Sequence, residues 1–383
     1  MKEPDYLPYG RQSIDDDDIE AVVAALRSDW LTTGPRVPRF EEAVASACGA
    51  GGAVAVSSGT AALHAAMRAI GIGPGDEVIV PAMTFAATAN AVVYCGGRPV
   101  FADVEPDTLL LSRESVERLI GPRTRAVVAV DYAGQPCDYD ALRTLTEPRG
   151  LKLVADACHS LGAYDRGRRV GSIADVSALS FHPVKHITTG EGGAVVSNDE
   201  NVIASARIFR NHGITTDHRQ REKQGSWFYE MTALGYNYRI TDIQCALGIS
   251  QLTKLERWVD RRREIAARYD DALRGLPDVR PLQTRPEARH AYHLYVVSIG
   301  DSVAGGRDGV FSALRAVGIG VNVHYIPVHL HPFYRREFGT SRGTCPVAEA
   351  AYERIVSLPM FPAMRDSDVD RVVEALCRAT AGS

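Results

Sequence analysis

Three short stretches hold residue types that can do chemistry together. The first is Ser58-Gly59-Thr60, between an apolar strand pattern and an Ala/Leu-rich helix pattern. At such a junction, free backbone N–H groups and the helix dipole favour an anion, and hydroxyls on both sides of Gly59 can donate to it. The same tripeptide also reads as an ordinary helix N-cap. The second is Asp156, in LVADACHS. It stands at the carboxyl end of a buried strand, where open α/β sheets bind ligands. A helix cap or an ion-paired core acid is the competing reading. The third is Lys185, in SFHPVKHITTGEGGAVVSND (180–199). Most lysines are solvated surface charges. This one follows a strand, lies between His182 and His186, and precedes a tight turn marked by Gly190, Gly192 and Gly193.

In combination these features meet the requirements of pyridoxal phosphate. The helix start and Ser180 would take the phosphate, and Lys185 would form the Schiff base. Asp156 would keep the pyridinium nitrogen protonated, so that the ring acts as an electron sink. A charge-assisted bond of that kind is strong in a dry site. Phe85, after Thr84, either presents an aromatic face to the ring or is a plain core phenylalanine. Other patterns carry less. GEGG (190–193) lacks the G-K-[ST] of a P-loop, and GIGPG (71–75) leads from helix to strand, the wrong direction for a dinucleotide fingerprint. His324, His329 and His331 match no zinc spacing.

The elements that must position these residues alternate along the chain. A helix is expected at Ile19–Leu26, a strand at 53–57, a helix ending at Gly71, a strand at 77–80 and a helix at Ala86–Tyr94. Further strands are expected at Pro99–Val104, Ala126–Tyr132, Leu151–Ala157 and Val176–Phe181. This alternation predicts an α/β fold with a mostly parallel sheet covered by helices. Beyond about residue 250 the pattern changes to a long charged helix (Gln251–Leu276), a strand (Tyr292–Ile299), a helix (Gly309–Val317) and a strand (Gly320–Tyr325). Residues 1–250 therefore read as an N-terminal arm with a large domain, and 251–383 as a connecting helix with a small C-terminal domain.

The 383 residues suffice for two or three domains. A net charge of −4 leaves no electrostatic footprint for nucleic acid and no polybasic membrane anchor. Seven scattered cysteines, never spaced C-x-x-C, read as reduced thiols. MKEPDYLPYG has no apolar leader run, and no apolar stretch approaches about 18 residues, so a cytoplasmic enzyme with no membrane span is expected.

The chain resembles the sugar aminotransferases of the DegT/DnrJ/EryC1/StrS family. The resemblance rests on SSGTAAL (57–63), PAMTFAATANAV (81–92), FADVEPDT (101–108), DACHSLGA (156–163), residues 180–199, RNHG (210–213), YNYRITDIQCALGISQL (236–252) and VHYIPVHLHPFY (323–334). It implies fold type I, with a mostly parallel seven-stranded sheet between helices and a smaller C-terminal α+β domain. It implies that Lys185 carries the cofactor and shuttles protons, and that Asp156 pairs with the pyridine nitrogen. His159 would contact the phenolic oxygen, and Phe85 would stack on the ring. Gly59, Thr60 and Ser180 would hold the phosphate. Asn237 would reach it from the other subunit, giving a homodimer with shared active sites. Some relatives replace the lysine with histidine and are dehydratases; this chain keeps Lys185. LTTG (31–34), VDYAGQPCDYDAL (130–142), residues 227–255 and residues 323–334 are similar to the aminotransferases of pseudaminic acid biosynthesis. Those enzymes use L-glutamate to aminate C4 of a UDP-linked 4-keto-6-deoxy-2-acetamido-L-hexose. That resemblance implies a sugar-nucleotide site lined by Tyr9, Trp30, Leu31, Thr32, Asn237, His324 and Tyr325. Arg239 either binds a carboxylate or phosphate there or makes a structural ion pair.

Overall fold

The computed structural model describes residues 6–216, 221 and 225–381, so MKEPDYLPYG is seen only from Tyr6. Seven strands form the main sheet: β1 (Gly52–Val56), β2 (Glu77–Pro81), β3 (Arg98–Ala102), β4 (Thr124–Val130), β5 (Lys152–Asp156), β6 (Val176–Ser180) and β7 (Gly193–Ser197). Their order is β1-β7-β6-β5-β4-β2-β3. β2 to β6 run parallel, and β7 is antiparallel to both β1 and β6. The strands are nearly continuous runs of Val and Ala because helices pack over the sheet. The fold is the mixed α/β architecture expected of fold type I.

A three-stranded antiparallel sheet follows: β8 (Val279–Pro281), β9 (Tyr295–Ile299) and β10 (Ile355–Leu358). With the helices Leu255–Leu273 and Asp366–Thr380 it encloses a second apolar core that also takes in Leu7 of the N-terminal arm. Among the described residues no helix is long and apolar enough to cross a membrane.

Several expected elements move, each for a physical reason. The first helix begins at Asp16 rather than Ile19, because Asp15 and Asp18 form a capping box. The single helix expected at 251–276 is two, Asp242–Leu252 and Leu255–Leu273. The break at Thr253-Lys254 turns the Lys254 ammonium onto Asp15 and Asp18. Tyr292–Leu294 turns before β9 instead of extending it, and Tyr292 has a φ of 49°. Gly320–Tyr325 is not a strand, because no single edge pairs with it. Gly320 N–H donates to Leu7, Asn322 N–H to Ser357, Tyr325 N–H to Met83 Sδ and, further on, Val328 N–H to Ala82. That segment is a strap from the arm across the small sheet to the large one. The helices Arg36–Cys48 and Asp366–Thr380 and the strand β10 are additional to the expected set.

Candidate active site

Asp156 is the last residue of β5, at the carboxyl edge of the sheet, and its residue is 6% exposed. Its Oδ2 accepts from Thr88 Oγ1 at 2.6 Å, Thr88 pairs with Thr84 at 2.7 Å, and Oδ1 accepts from Cys158 N–H at 3.3 Å. Donors of this kind satisfy and orient a buried carboxylate. Among the described residues Asp156 therefore accepts from one side chain and one backbone N–H at a strand end, and is neither a helix cap nor one half of an ion pair. Next to it, the buried Asp131 accepts from Ser160 Oγ (2.6 Å), Tyr139 OH (2.8 Å) and Cys137 N–H (2.9 Å). Burial pushes the Asp131 carboxyl up to about 7 even though these donors pull it down. Its bond to Ser160 fixes the turn that carries His159.

Lys185 lies in the turn between β6 and β7, with its N–H on His182 O (2.9 Å). Its Nζ is 3.3 Å from His293 Nε2. Burial pushes the lysine down to about 8, while Cys158 and Asp156 act in the opposite sense. About a tenth of such amines are neutral at pH 7, far more than for a solvated lysine. His159, His186 and His293 are held well below the ordinary histidine value, first by burial and then by neighbouring positive charge.

The helix Gly59–Ala69 starts beside this pair. Ser58 caps it, accepting from Ala61 N–H at 3.1 Å, while the N–H groups of Gly59 and Thr60 have no partner among the described residues. Both readings of the tripeptide thus hold: Ser58 is the cap, and two N–H groups remain for an anion. A Cβ on Gly59 would lie 2.8 Å from Ser180 Cβ and 3.3 Å from Cys158 Sγ, so only glycine brings the helix start against Ser180. Cys158 packs there, and burial holds its thiol high and unreactive. A glycine-lined helix start, a hydrogen-bonded carboxylate, a lowered lysine and the buried Nδ1 of His159, without a partner among the described residues, together fit pyridoxal phosphate.

Phe85 is 59% exposed at the start of the helix Ala86–Tyr94, which excludes the core reading. Its ring centroid is 5.9 Å from that of Tyr325, whose hydroxyl is 3.1 Å from His159 Nε2. Tyr9 lies against His324 (5.5 Å between centroids), and His324 Nδ1 is 2.8 Å from Ser357 Oγ. His329 pairs with Glu349 at 2.8 Å, so these two histidines face different partners.

Lys185, Asp156, His159, Ser180, Gly59, Thr60, Phe85, Tyr325, His324 and Tyr9 thus form one continuous neighbourhood. Trp30, Leu31, Thr32, Asn237 and Arg239 form a second group, joined to the first where Ser57 N–H donates to Tyr238 O at 2.9 Å. There Leu31 O accepts from Asp242 N–H, Thr32 pairs with Thr241, and the exposed Asn237 pairs with Asn211. Arg239 donates to Asn211 Oδ1 at 2.8 Å, an amide and not the carboxylate of an ion pair. Thr32, Asn211 and Arg239 line a cavity of about 870 Å³, beside a loop exposing Trp227, Phe228, Met231 and Leu234. Sequence reasoning missed Thr88, Asp131 and His293. Thr84 and Thr88, four apart at a helix start, were the available signal for the first.

An open sheet in this order, with its lysine in the β6–β7 turn, is the architecture of fold type I pyridoxal-phosphate enzymes, and the chain is one of them. Residues 12–377 match the DegT/DnrJ/EryC1/StrS aminotransferase family, to which the chain belongs. It is 41% identical over 379 residues to the spore coat polysaccharide biosynthesis protein SpsC of Bacillus subtilis (strain 168), covering 98% of this chain and 97% of that one. Among solved structures, Spr1654 from Streptococcus pneumoniae in its PMP-form superposes with a TM-score of 0.93 at 32% identity, covering 98% and 99% of the two chains. Helicobacter pylori PseC, an aminotransferase involved in pseudaminic acid biosynthesis, superposes with a TM-score of 0.92 at 31% identity, covering 98% and 99%. The chain is a pyridoxal-phosphate-dependent sugar aminotransferase.

Proposed function

We propose that this enzyme transfers the amino group of L-glutamate to C4 of a UDP-linked 4-keto-6-deoxy-2-acetamido-L-hexose, in cytoplasmic pseudaminic acid biosynthesis. The likeness to PseC over 98% of the chain carries this reading. The divisions 1–250 and 251–383 act as a cofactor domain and a smaller domain over the substrate. The enzyme works as a homodimer with shared sites.

Bound pyridoxal phosphate supplies the carbonyl that accepts the amine and the ring that withdraws electrons from the reacting carbon. The remaining work falls to the chain. The N–H groups of Gly59 and Thr60 and the Ser180 hydroxyl hold the phosphate, and Phe85 covers a ring face. Asp156, oriented by Thr88 and Cys158 N–H, holds a proton on the ring nitrogen. His159, oriented by Tyr325, bonds the phenolic oxygen. Lys185, when neutral, takes a proton from the carbon bearing the donor amine and returns it on the far side of the transfer. Tyr9 and His324 with Tyr325 face the sugar; the partner subunit's Trp30, Leu31, Thr32, Asn237 and Arg239 complete the nucleotide site.

A second reading has support in the 41% identity to SpsC: another NDP-keto-sugar, dTDP- or GDP-linked, destined for a polysaccharide. The test is a panel of UDP-, dTDP- and GDP-4-keto-sugars with glutamate, with product amines identified by mass and NMR. Preference for the UDP-4-keto-6-deoxy-L-AltNAc substrate supports the first reading. Preference for a dTDP- or GDP-sugar replaces it with the second. A pyridoxal-phosphate dehydratase would show no spectral change with glutamate alone.

A further inference from the structure

Beside Lys185 stands a side chain with no assigned role. His293 is 4% exposed, its Nε2 lies 3.3 Å from Lys185 Nζ, and its Nδ1 is buried without a partner among the described residues. Its place is over-determined. Ala291 N–H and Leu294 N–H donate to Gly134 and Ala133, and Arg262 Nη1 donates to the carbonyls of Tyr292 (3.1 Å), His293 (3.4 Å) and Met360 (3.0 Å). Gly134, with a φ of 102°, permits the approach: a Cβ there would lie 2.7 Å from His159 O and 2.8 Å from His293 N. The backbone that carries the imidazole is thus fixed, and the Nε2 edge of the ring meets the lysine.

We infer that His293 is a positioning residue for Lys185, donating its Nε2 proton to the lone pair of the lysine amine. The proposal rests on the pyridoxal-phosphate reading of the site. The tautomer follows from the orphaned Nδ1. A proton there would be a buried N–H with no acceptor, the rarer and costlier kind of unpaired group. With the proton on Nε2, the buried Nδ1 is only an unused acceptor, and Nε2–H points its charge at the amine. Such a bond exists only with a neutral lysine, so it favours the form that can attack a carbonyl, and it aims Nζ as well.

The other groups around the pair act in known senses. Asp156, the last residue of β5, and Cys158, just after it, favour the charged amine, and Arg262, from the helix Leu255–Leu273, opposes it. His159 and His186 are neutral neighbours of His293, and their rings lie 4.3 and 5.9 Å from its own. Removal of the Nε2 donor therefore leaves the two acids less opposed, and the lysine titrates higher. If Lys185 instead donated to an unprotonated Nε2, removal would drive the lysine lower. The sign separates the two arrangements.

The test uses the full-length chain stripped of cofactor. The rate of pyridoxal phosphate capture is followed by visible absorbance between pH 6 and 10, because capture requires the neutral amine. The wild-type midpoint is expected near 8. His293→Leu should raise it by about one pH unit, making capture at pH 7 about tenfold slower. His293→Gln, whose amide N–H₂ reaches the place of Nε2, should restore it. Should the leucine variant not fold by circular dichroism, His293→Asn, one bond too short, must show the rise. An unmoved or lowered midpoint, or no recovery with glutamine, overturns the inference. If the wild-type chain captures no pyridoxal phosphate, the cofactor reading fails instead, and the two failures are distinct.

Discussion

Thr88 Oγ1 donates to Asp156 Oδ2 at 2.6 Å, from the first turn of a helix to the end of a strand 68 residues later in the chain. Thr84 completes the relay at 2.7 Å. Because Cys158 N–H takes the other oxygen, the carboxylate has a fixed plane, and its remaining lone pairs are free for a cationic ring nitrogen.

Thr88→Val keeps the shape and removes that donor. A hydrogen bond to a charged group is worth about 1.5–3 kcal/mol. The variant should retain cofactor, seen in its visible absorbance, and lose roughly tenfold or more in kcat. Unchanged kcat would mean that Thr88 only fills space. Asp156→Asn should likewise bind cofactor yet turn over far more slowly, because a neutral amide cannot hold the proton on the ring.

Lys185→Ala should abolish both the visible absorbance of bound cofactor and all turnover, and full activity in this variant would end the present reading. A thermodynamic counterpart concerns the cofactor-free chain. Lys185 titrates at about 8 when folded against 10.5 for the solvated group. Above pH 10.5 it is neutral in both states and costs nothing. Below 8 it is charged in both, and burial of the charge opposes folding in full. The gap corresponds to about 3 kcal/mol at most. Cofactor-free Lys185→Met should therefore resist urea better than wild type at pH 7, with the advantage shrinking as pH rises from 8 toward 10.5. An advantage independent of pH would trace to packing and not to the amine.

The places of Asp156 at a strand end and of Lys185 in a small-residue turn were legible in the sequence because each is announced locally. The exposure of Phe85 and the role of Ser58 as cap needed coordinates, since one spacing serves both of their readings. His293 was hidden for another reason. Its closeness to Lys185 is produced by the 291–294 turn folding onto Gly134, and the pattern YHLYVVSI conceals that turn by reading as a strand from its first residue. The strap at 320–325 misled in the same way. Its alternation is real, but its hydrogen bonds go to three different elements in succession. Local pattern reports which surface a segment buries, whereas the partner of its backbone is decided by the assembled sheets.

The last prediction concerns the second group. Asn237 is exposed, Arg239 is bonded among the described residues to an amide, and the adjoining loop presents Trp227 at 86% and Leu234 at 73% exposure. Apolar side chains that exposed and that clustered mark a surface that another protein surface covers. If the occupant is a second copy, each active site takes its lysine from one chain and Asn237 from the other. Lys185→Ala chains and Asn237→Ala chains are each expected to be nearly inactive alone. A mixed dimer would hold one site with both lesions and one with neither, so mixing the two after dissociation should return about a quarter of wild-type activity. Recovery requires exchange, so Leu234→Glu, which places a charge in the apolar patch, should shift the enzyme toward monomer in sedimentation and abolish activity together with rescue. No rescue from fully exchanged subunits would place Asn237 with its own chain's lysine, and an active monomeric Leu234→Glu variant would show the same by a second route.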